Sequence, residues 1–199
     1  MGFIKNILSV IGGIVILGML FAYVKFDLGT RMDQISKLDP QAIGTFAEMG
    51  DHLLATGNSA ESMVKKVMID DAVSTEDLIA NLNEIAITKN FKVVGDQTMS
   101  TSGVDADGQK TKYIRIVSFC SPGIAKQFVD YSAAFGAFMP CRILIVEDDD
   151  GHRWMYTMSM ELMLFGGHTL PPEMMKQATH VRDTMYLMLN EAGKEDGNF

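Results

Sequence analysis

Residues Phe138 to Met160, FMPCRILIVEDDDGHRWMYTMSM, constrain the chain more than any other stretch, because they admit little besides a β-hairpin. Ile143 to Val146 is a continuously apolar, largely β-branched run of the kind found in strands covered on both faces. Asp150-Gly151 supplies the turn, since a type I′ turn needs positive φ at both central residues and Asp and Gly tolerate it best. With that turn, antiparallel pairing sets Glu147 opposite Trp154, Ile145 opposite Tyr156, Ile143 opposite Met158 and Cys141 opposite Met160. One face of the hairpin would then be aromatic and rich in sulfur.

The rest of the chain must supply what this hairpin packs against. An apolar fraction of 47% over 199 residues suffices for one domain of ordinary size plus an appendage. The net charge of −8, with 17 basic against 25 acidic residues and no basic stripe, argues against nucleic acid or an anionic membrane surface as the main partner.

The appendage is at the start. Between Lys5 and Lys25, Asn6 to Val24 is a run of 19 residues without charge. As a helix it would span roughly 28 Å, close to the hydrocarbon thickness of a bilayer. A cleavable signal peptide is the rival reading, but the run is longer than the usual apolar core of one. Phe21-Ala22-Tyr23-Val24 also offers no small-x-small cleavage site. We therefore expect residues 1–26 to be a single transmembrane anchor in contact with the lipid bilayer, with Tyr23, Lys25 and Phe26 at its interfacial end. Ser9 and Gly13, and Gly18 and Ala22, form small-x-x-x-small pairs on opposite sides of that helix, a spacing common in membrane spans.

Residues 27–73 read as a helical linker or stalk. Ile43, Phe46, Met49, Leu53 and Leu54 recur at helical spacing, Gly57-Asn58-Ser59 interrupts, and Met63, Val64, Val67 and Met68 suggest a second short helix ending near Asp70-Asp71. The globular unit, residues 74–192, opens with a capping pattern at Ser74 and Asp77 before a helix with Leu78, Ile79, Leu82, Ile85 and Ala86 on one face. A strand from Phe91, a polar loop from Ser100 to Lys110 and a strand from Lys112 to Cys120 follow. Ser121-Pro122 starts a helix that Gly136 closes. After the hairpin, Glu161 to Leu170 reads as a loop. Pro171-Pro172 then starts a last helix with Met174, Ala178, Val181, Met185 and Met188 as its buried row. Residues 193–199 form a polar, frayed tail. The order implies an α+β fold: an antiparallel-dominated sheet of about four strands packed with helices.

Ser118-Phe119-Cys120 running into Ser121-Pro122, and Met139-Pro140-Cys141-Arg142 running into Ile143 to Glu147 and the Asp-Gly turn, resemble the DUF302 family. This is a small α+β domain of bacteria and archaea whose biochemical role is unsettled. The resemblance covers roughly Ser74 to Ala192 and carries no catalytic residues with it. Family members are often secreted or membrane-anchored, which implies a periplasmic domain on a bacterial inner membrane. Charge alone points weakly the other way, with Lys5 on one side of the span and Lys25, Arg31 and Lys37 on the other. Asp27, Asp33 and Asp39 are interspersed there, however, and long domains translocate largely regardless of charge.

No nucleophile elbow, zinc-protease helix, phosphate loop or carboxylate pair appears, so we expect no enzyme and no catalytic residue. His152, His168 and His180 are taken as surface or loop residues, and His52 lacks a second ligand at helical spacing. Asp148-Asp149-Asp150-Gly151 and Asp105-Ala106-Asp107-Gly108 lack the alternation and the closing Glu of a calcium loop and read as solvated turns. Sixteen Met residues are an excess. Within it, Cys141, Met158, Met160, Met163 and His168 form a soft-ligand cluster able to hold copper(I) or to supply an axial ligand to haem. Packing or partner contact is the preferred account of the methionines. Cys120 and Cys141, at the ends of strands flanking one helix, are expected to stay free rather than form a disulfide. The function expected from all this is a non-enzymatic accessory subunit contacting other membrane-protein subunits. A periplasmic haem- or copper-binding protein and a small-ligand sensor module are the alternatives.

Overall fold

The hairpin forms, but its turn is one residue longer than expected and every side chain beyond it changes face. In the computed structural model, which describes residues 2–197 and their side chains from Asn6 onward, β6 (Cys141–Glu147) and β7 (Arg153–Met158) are antiparallel. Met1 and the last two residues of the expected tail lie outside the described residues. Asp148 N–H donates to His152 O (2.9 Å), which closes a three-residue loop of Asp149, Asp150 and Gly151. Gly151 sits at φ 88°, the left-handed position such loops require at their last residue. The pairs are Glu147 with Arg153, Val146 with Trp154, Ile145 with Met155 and Leu144 with Tyr156, not the four inferred from a two-residue turn. A one-residue slip inverts the faces of a strand.

Among the described residues, seven α-helices and five further strands precede or follow this hairpin. In chain order they are α1 (Gly2–Lys25), α2 (Leu28–Ser36), α3 (Ala42–Thr56), β1 (Val64–Met68), α4 (Thr75–Thr88), β2 (Lys92–Ser100), β3 (Gly103–Val104), β4 (Lys110–Thr111) and β5 (Ile114–Cys120). Then come α5 (Pro122–Tyr131), a 3₁₀ segment (Ala133–Phe138), β6, β7, α6 (Glu161–Phe165) and α7 (Pro172–Glu191). The main sheet is antiparallel with strand order β1-β7-β6-β5-β2; β3 and β4 form a separate small hairpin. The fold is thus α+β with an apolar first helix, as expected, but the sheet has five strands rather than about four.

The added strand corrects the stalk. Val64, Val67 and Met68 belong to β1, an edge strand on β7, and not to a second stalk helix; only a 3₁₀ turn, Glu61–Met63, precedes it. Lys65 and Lys66 lie on this edge, and β2 at the other edge carries two bulges, both devices that discourage strand addition. Glu161 to Leu170 contains α6 and is not all loop.

Capping at α4 follows the sequence: Ser74 Oγ accepts from Asp77 N–H (3.0 Å) and donates to the Asp77 carboxylate (2.7 Å). Leu78, Leu82, Ile85 and Ala86 of α4, Phe128 of α5 and Ala178, Met185, Met188 and Leu189 of α7 bury against Val117, Phe119, Ile143, Ile145 and Met155 of the sheet. Each large member of that set is worth roughly 1.5–3 kcal/mol of transfer free energy. Gly193 lies inside this packing rather than in a frayed tail. A Cβ there would sit 3.0 Å from Met155 Cε and 3.3 Å from Ile69 Cα, and Gly193 O accepts from Asp70 N–H (2.8 Å).

The helix α1 is long and apolar enough over Asn6–Lys25 to cross a membrane or to serve as a signal sequence, and none of that span is buried against the rest of the chain. Both cysteines are free thiols.

Candidate functional site

Helices α4, α5 and α7 cover one face of the sheet, so the other face is left mainly to the strands. Register gives its composition directly: Lys66, Tyr156, Leu144, Ile116 and Gln97 form one row across the five strands, and Met68, Trp154, Val146, Ile114 and Ser100 the next. Six of these ten side chains are aromatic or branched aliphatic and only half-buried. Antiparallel sheets with one wet face normally alternate apolar with polar along each strand; Ile114, Ile116, Leu144 and Val146 break that alternation. The expectation that Ile143 to Val146 is covered on both sides therefore fails, since Ile143 and Ile145 are buried while Leu144 and Val146 are not.

The polar groups on this face are Gln97, Ser100 and two cations. The Lys66 ammonium lies 5.7 Å from the Trp154 ring centre and 5.8 Å from that of Tyr156, a bifurcated cation–π contact, and it pairs with Glu61 at 3.3 Å. Arg142 is exposed beside them. On a chain of net charge −8 this is an apolar surface bearing two cations, one of them paired with Glu61. It deepens toward the start of β6 into a depression of about 310 Å³ lined by Val64, Ile116, Leu144, Tyr156, Met158 and Phe138.

Around the corner of Phe138 and Met158 lies a larger cavity of about 610 Å³, walled almost wholly by apolar atoms. Met63, Met158, Met163, Phe135, Phe138 and His168 line it. Of the soft-ligand cluster inferred from sequence, the structure brings Met158, Met163 and His168 into this cavity. Met160 and Cys141 line a narrower neighbouring cleft together with Phe135 and Phe138, and also edge the depression on the open face. Burial pushes the Cys141 thiol up to about 11, so it is a poor thiolate ligand.

Two polar clusters hold the walls of this cavity. Glu161, at the start of α6, accepts from Ser159 Oγ and from Tyr186 Oη (2.7 Å), and Tyr186 Oη accepts from Met160 N–H (3.1 Å). Burial alone would raise the Glu161 pKa, but the Ser159 and Tyr186 hydrogen bonds outweigh it and the carboxyl is held below its ordinary value. Burial, then Glu161, push the Tyr186 phenol well above its ordinary range. On the other side Asp39, only 6% exposed, accepts from Thr169 Oγ1 (2.8 Å) and Gln41 N–H (3.0 Å), while Asp39 N–H donates to Gly167 O (2.8 Å). The same clasp puts His168 Nδ1 2.8 Å from Lys37 O.

The acidic turns are spoken for. Asp148 Oδ1 accepts from the N–H groups of Asp150 (3.0 Å) and His152 (2.9 Å), and Oδ2 from Trp154 Nε1 (2.8 Å), the bond that chiefly lowers the Asp148 pKa. Asp148, Asp150 and His152 cluster closely enough to suggest a cation site, but that carboxylate is organising its own turn. Asp105 does the same for the β3–β4 hairpin, accepting from Asp107 and Gln109 N–H. His152 sits beside Asp148, and His180 Nε2 lies 3.1 Å from Lys89 O; His52 is exposed on α3.

Sequence reasoning missed the open face, because the register slip hid which residues share it. It also missed Asp39, whose side-chain partner Thr169 is 130 positions away. The apolar residues at alternate positions 144, 146, 154 and 156 were the available signal.

No curated protein matches this chain. A crystal structure of an uncharacterized conserved DUF302 protein from Bacillus stearothermophilus is similar in fold, with a TM-score of 0.51 at 14% identity, covering 66% of this chain and 98% of that one. The family described as Domain of unknown function DUF302 matches residues 65–192, well over half of the chain and nearly all of the sheet and its helices, from β1 to the end of α7. The chain therefore belongs to the DUF302 family.

Proposed function

We propose that this chain is a non-enzymatic accessory subunit of a larger membrane complex, held by α1 in the bacterial inner membrane as a single pass. Its DUF302 domain lies on the periplasmic side and docks on a partner subunit through the uncovered face of the sheet. The observation that carries this reading is that face: two cross-strand rows of aromatic and aliphatic side chains, with Lys66 and Arg142 as its cations. Contiguous exposed apolar patches of this kind mark interaction sites. The cations select the partner: it presents an apolar surface bearing carboxylates, which the rest of this acidic chain would repel. The candidate span in α1 supports a partner in the same bilayer. Family members that are secreted or anchored support the periplasmic side.

A photo-crosslinking amino acid placed at Tyr156 in the full-length protein, and activated in native membranes, tests this. The expected product is one discrete adduct with another integral membrane protein, weakened when Lys66 and Arg142 are both changed to Glu, and absent when the probe stands at Glu76 on the far side. Adducts with lipid only, with a second copy of this chain, or no adduct at all would overturn the proposal.

A further inference from the structure

The large cavity is too big and too apolar to serve a bare cation, and it carries one nitrogen ligand whose state is set by the backbone. A carbonyl oxygen only accepts, so the 2.8 Å contact between His168 Nδ1 and Lys37 O places the ring hydrogen on Nδ1. The Nε2 lone pair is left free, and among the described residues no hydrogen bond engages it. An imidazole held by Nδ1–H to a carbonyl is the arrangement that orients a metal-binding Nε2 and raises its basicity.

The device that maintains this arrangement is independent of the ring. Asp39 is a buried carboxylate, costly to desolvate, and its acceptors are used on Thr169 Oγ1 and Gln41 N–H while its own N–H holds Gly167 O. These bonds fix both neighbours of His168 and the residue two after Lys37, so donor ring and acceptor carbonyl are locked to one another. Met63, Met158 and Met163 bring thioether sulfurs to the same cavity, and Phe135 and Phe138 give it flat aromatic walls.

We infer that this cavity is a haem site, with His168 Nε2 and one of the three thioethers as the residues that would hold the iron. The volume of about 610 Å³ falls within the range of ligand and cofactor pockets. A nitrogen and a thioether together form a ligand pair known to hold haem iron, and the apolar walls suit the porphyrin. The site adjoins the open sheet face that carries the docking proposal, sharing Phe138 and Met158 with its depression, but the inference does not rest on that proposal.

The test is a titration of full-length protein in mild detergent with hemin, followed by reduction with dithionite. The expected result is a saturable, one-to-one Soret band with the sharp visible bands of six-coordinate low-spin iron. H168A should lose that band while keeping the circular dichroism of the wild type, and H180A should keep it. F135W should block binding with His168 intact. D39N should weaken binding by about 10-fold or more, as loss of outer-shell support does. M63L, M158L and M163L should include one variant that binds but shows a five-coordinate spectrum. The inference is overturned if no saturable band forms, if H168A binds as the wild type does, or if copper(I) binds in competition with a chelator while hemin does not.

Discussion

The two faces of one sheet follow different rules. Toward α4, α5 and α7 the strands present Val117, Phe119, Ile143, Ile145, Met155 and Thr157, all nearly inaccessible. Away from the helices the same strands present Ile114, Ile116, Leu144, Val146, Trp154 and Tyr156, equally apolar but half-exposed. Hydrophobicity does not distinguish them; cover does. The first set is explained by folding, whereas the second gives no stability in proportion to its size and is the basis of the docking proposal.

Deleting side chains should separate the faces most sharply. Phe119→Ala is expected to cost about 3–5 kcal/mol, since the ring is wholly buried. Leu144→Ala, one strand away on the open face, should cost about 1 kcal/mol and yet weaken crosslinking to the partner. Urea unfolding of the detergent-solubilised chain measures both, and equal losses would erase the distinction between the faces.

A smaller effect is expected where α7 is latched to α6 at the edge of the covered face. Tyr186→Phe removes the phenol that donates to Glu161 and accepts from Met160 N–H, and should cost about 1–3 kcal/mol. If stability does not change, the latch contributes nothing and α6 is held by packing.

At the rim, acid should probe the pair of Arg115 and Asp96, which meet at 2.6 Å. The hydrogen bond from Arg115 lowers the Asp96 pKa in the folded state. A depressed carboxylate stabilises fully above its unfolded pKa of about 3.9, and that contribution fades as pH falls through the lower folded value. For a partly exposed pair this is at most about 1 kcal/mol. Asp96→Asn should flatten the acid limb of a stability profile below about pH 4; an unchanged limb would place the acid sensitivity elsewhere.

Smallest of all is a difference in rate. Cys141 shares the covered face, paired with Phe119, while Cys120 sits at the strand end where burial raises its thiol less. Two thiols should react without reductant, Cys120 faster than Cys141 at pH 8. Reaction only after dithiothreitol would mean a disulfide.

What the sequence reveals of this architecture depends on how local the signal is. The Ser74 cap, the buried row of α4 and the prolines opening α5 and α7 are decided within a few residues, and all are where the spacing puts them. Met63, Val64, Val67 and Met68 fit a helical row as well as an edge strand, and only pairing with Met158 to Trp154 settles it. The turn shows how little information separates two outcomes. Asp149-Asp150-Gly151 and Asp150-Gly151 are both good loops, and choosing the shorter inverted the predicted hairpin faces. Of the candidate ligands, the methionines and His168 are visible as residue types. The clasp that orients His168 depends on Lys37 and Asp39, far away in the chain, and leaves no local trace.

That clasp also changes what kind of tether joins the domain to α1. Had residues 27–73 been a free linker, the domain would swing, since a flexible segment of even a dozen residues roams about 20 Å. Instead α2, nine residues and roughly 14 Å long, runs into a segment bolted to the domain at Asp39 and Lys37. Such a strut restricts how far the domain can move from the point where α1 ends. For the membrane partner proposed above, such a tether would confine encounters to a thin layer and raise the local concentration of the two surfaces. Less orientational freedom would then be lost at each such encounter.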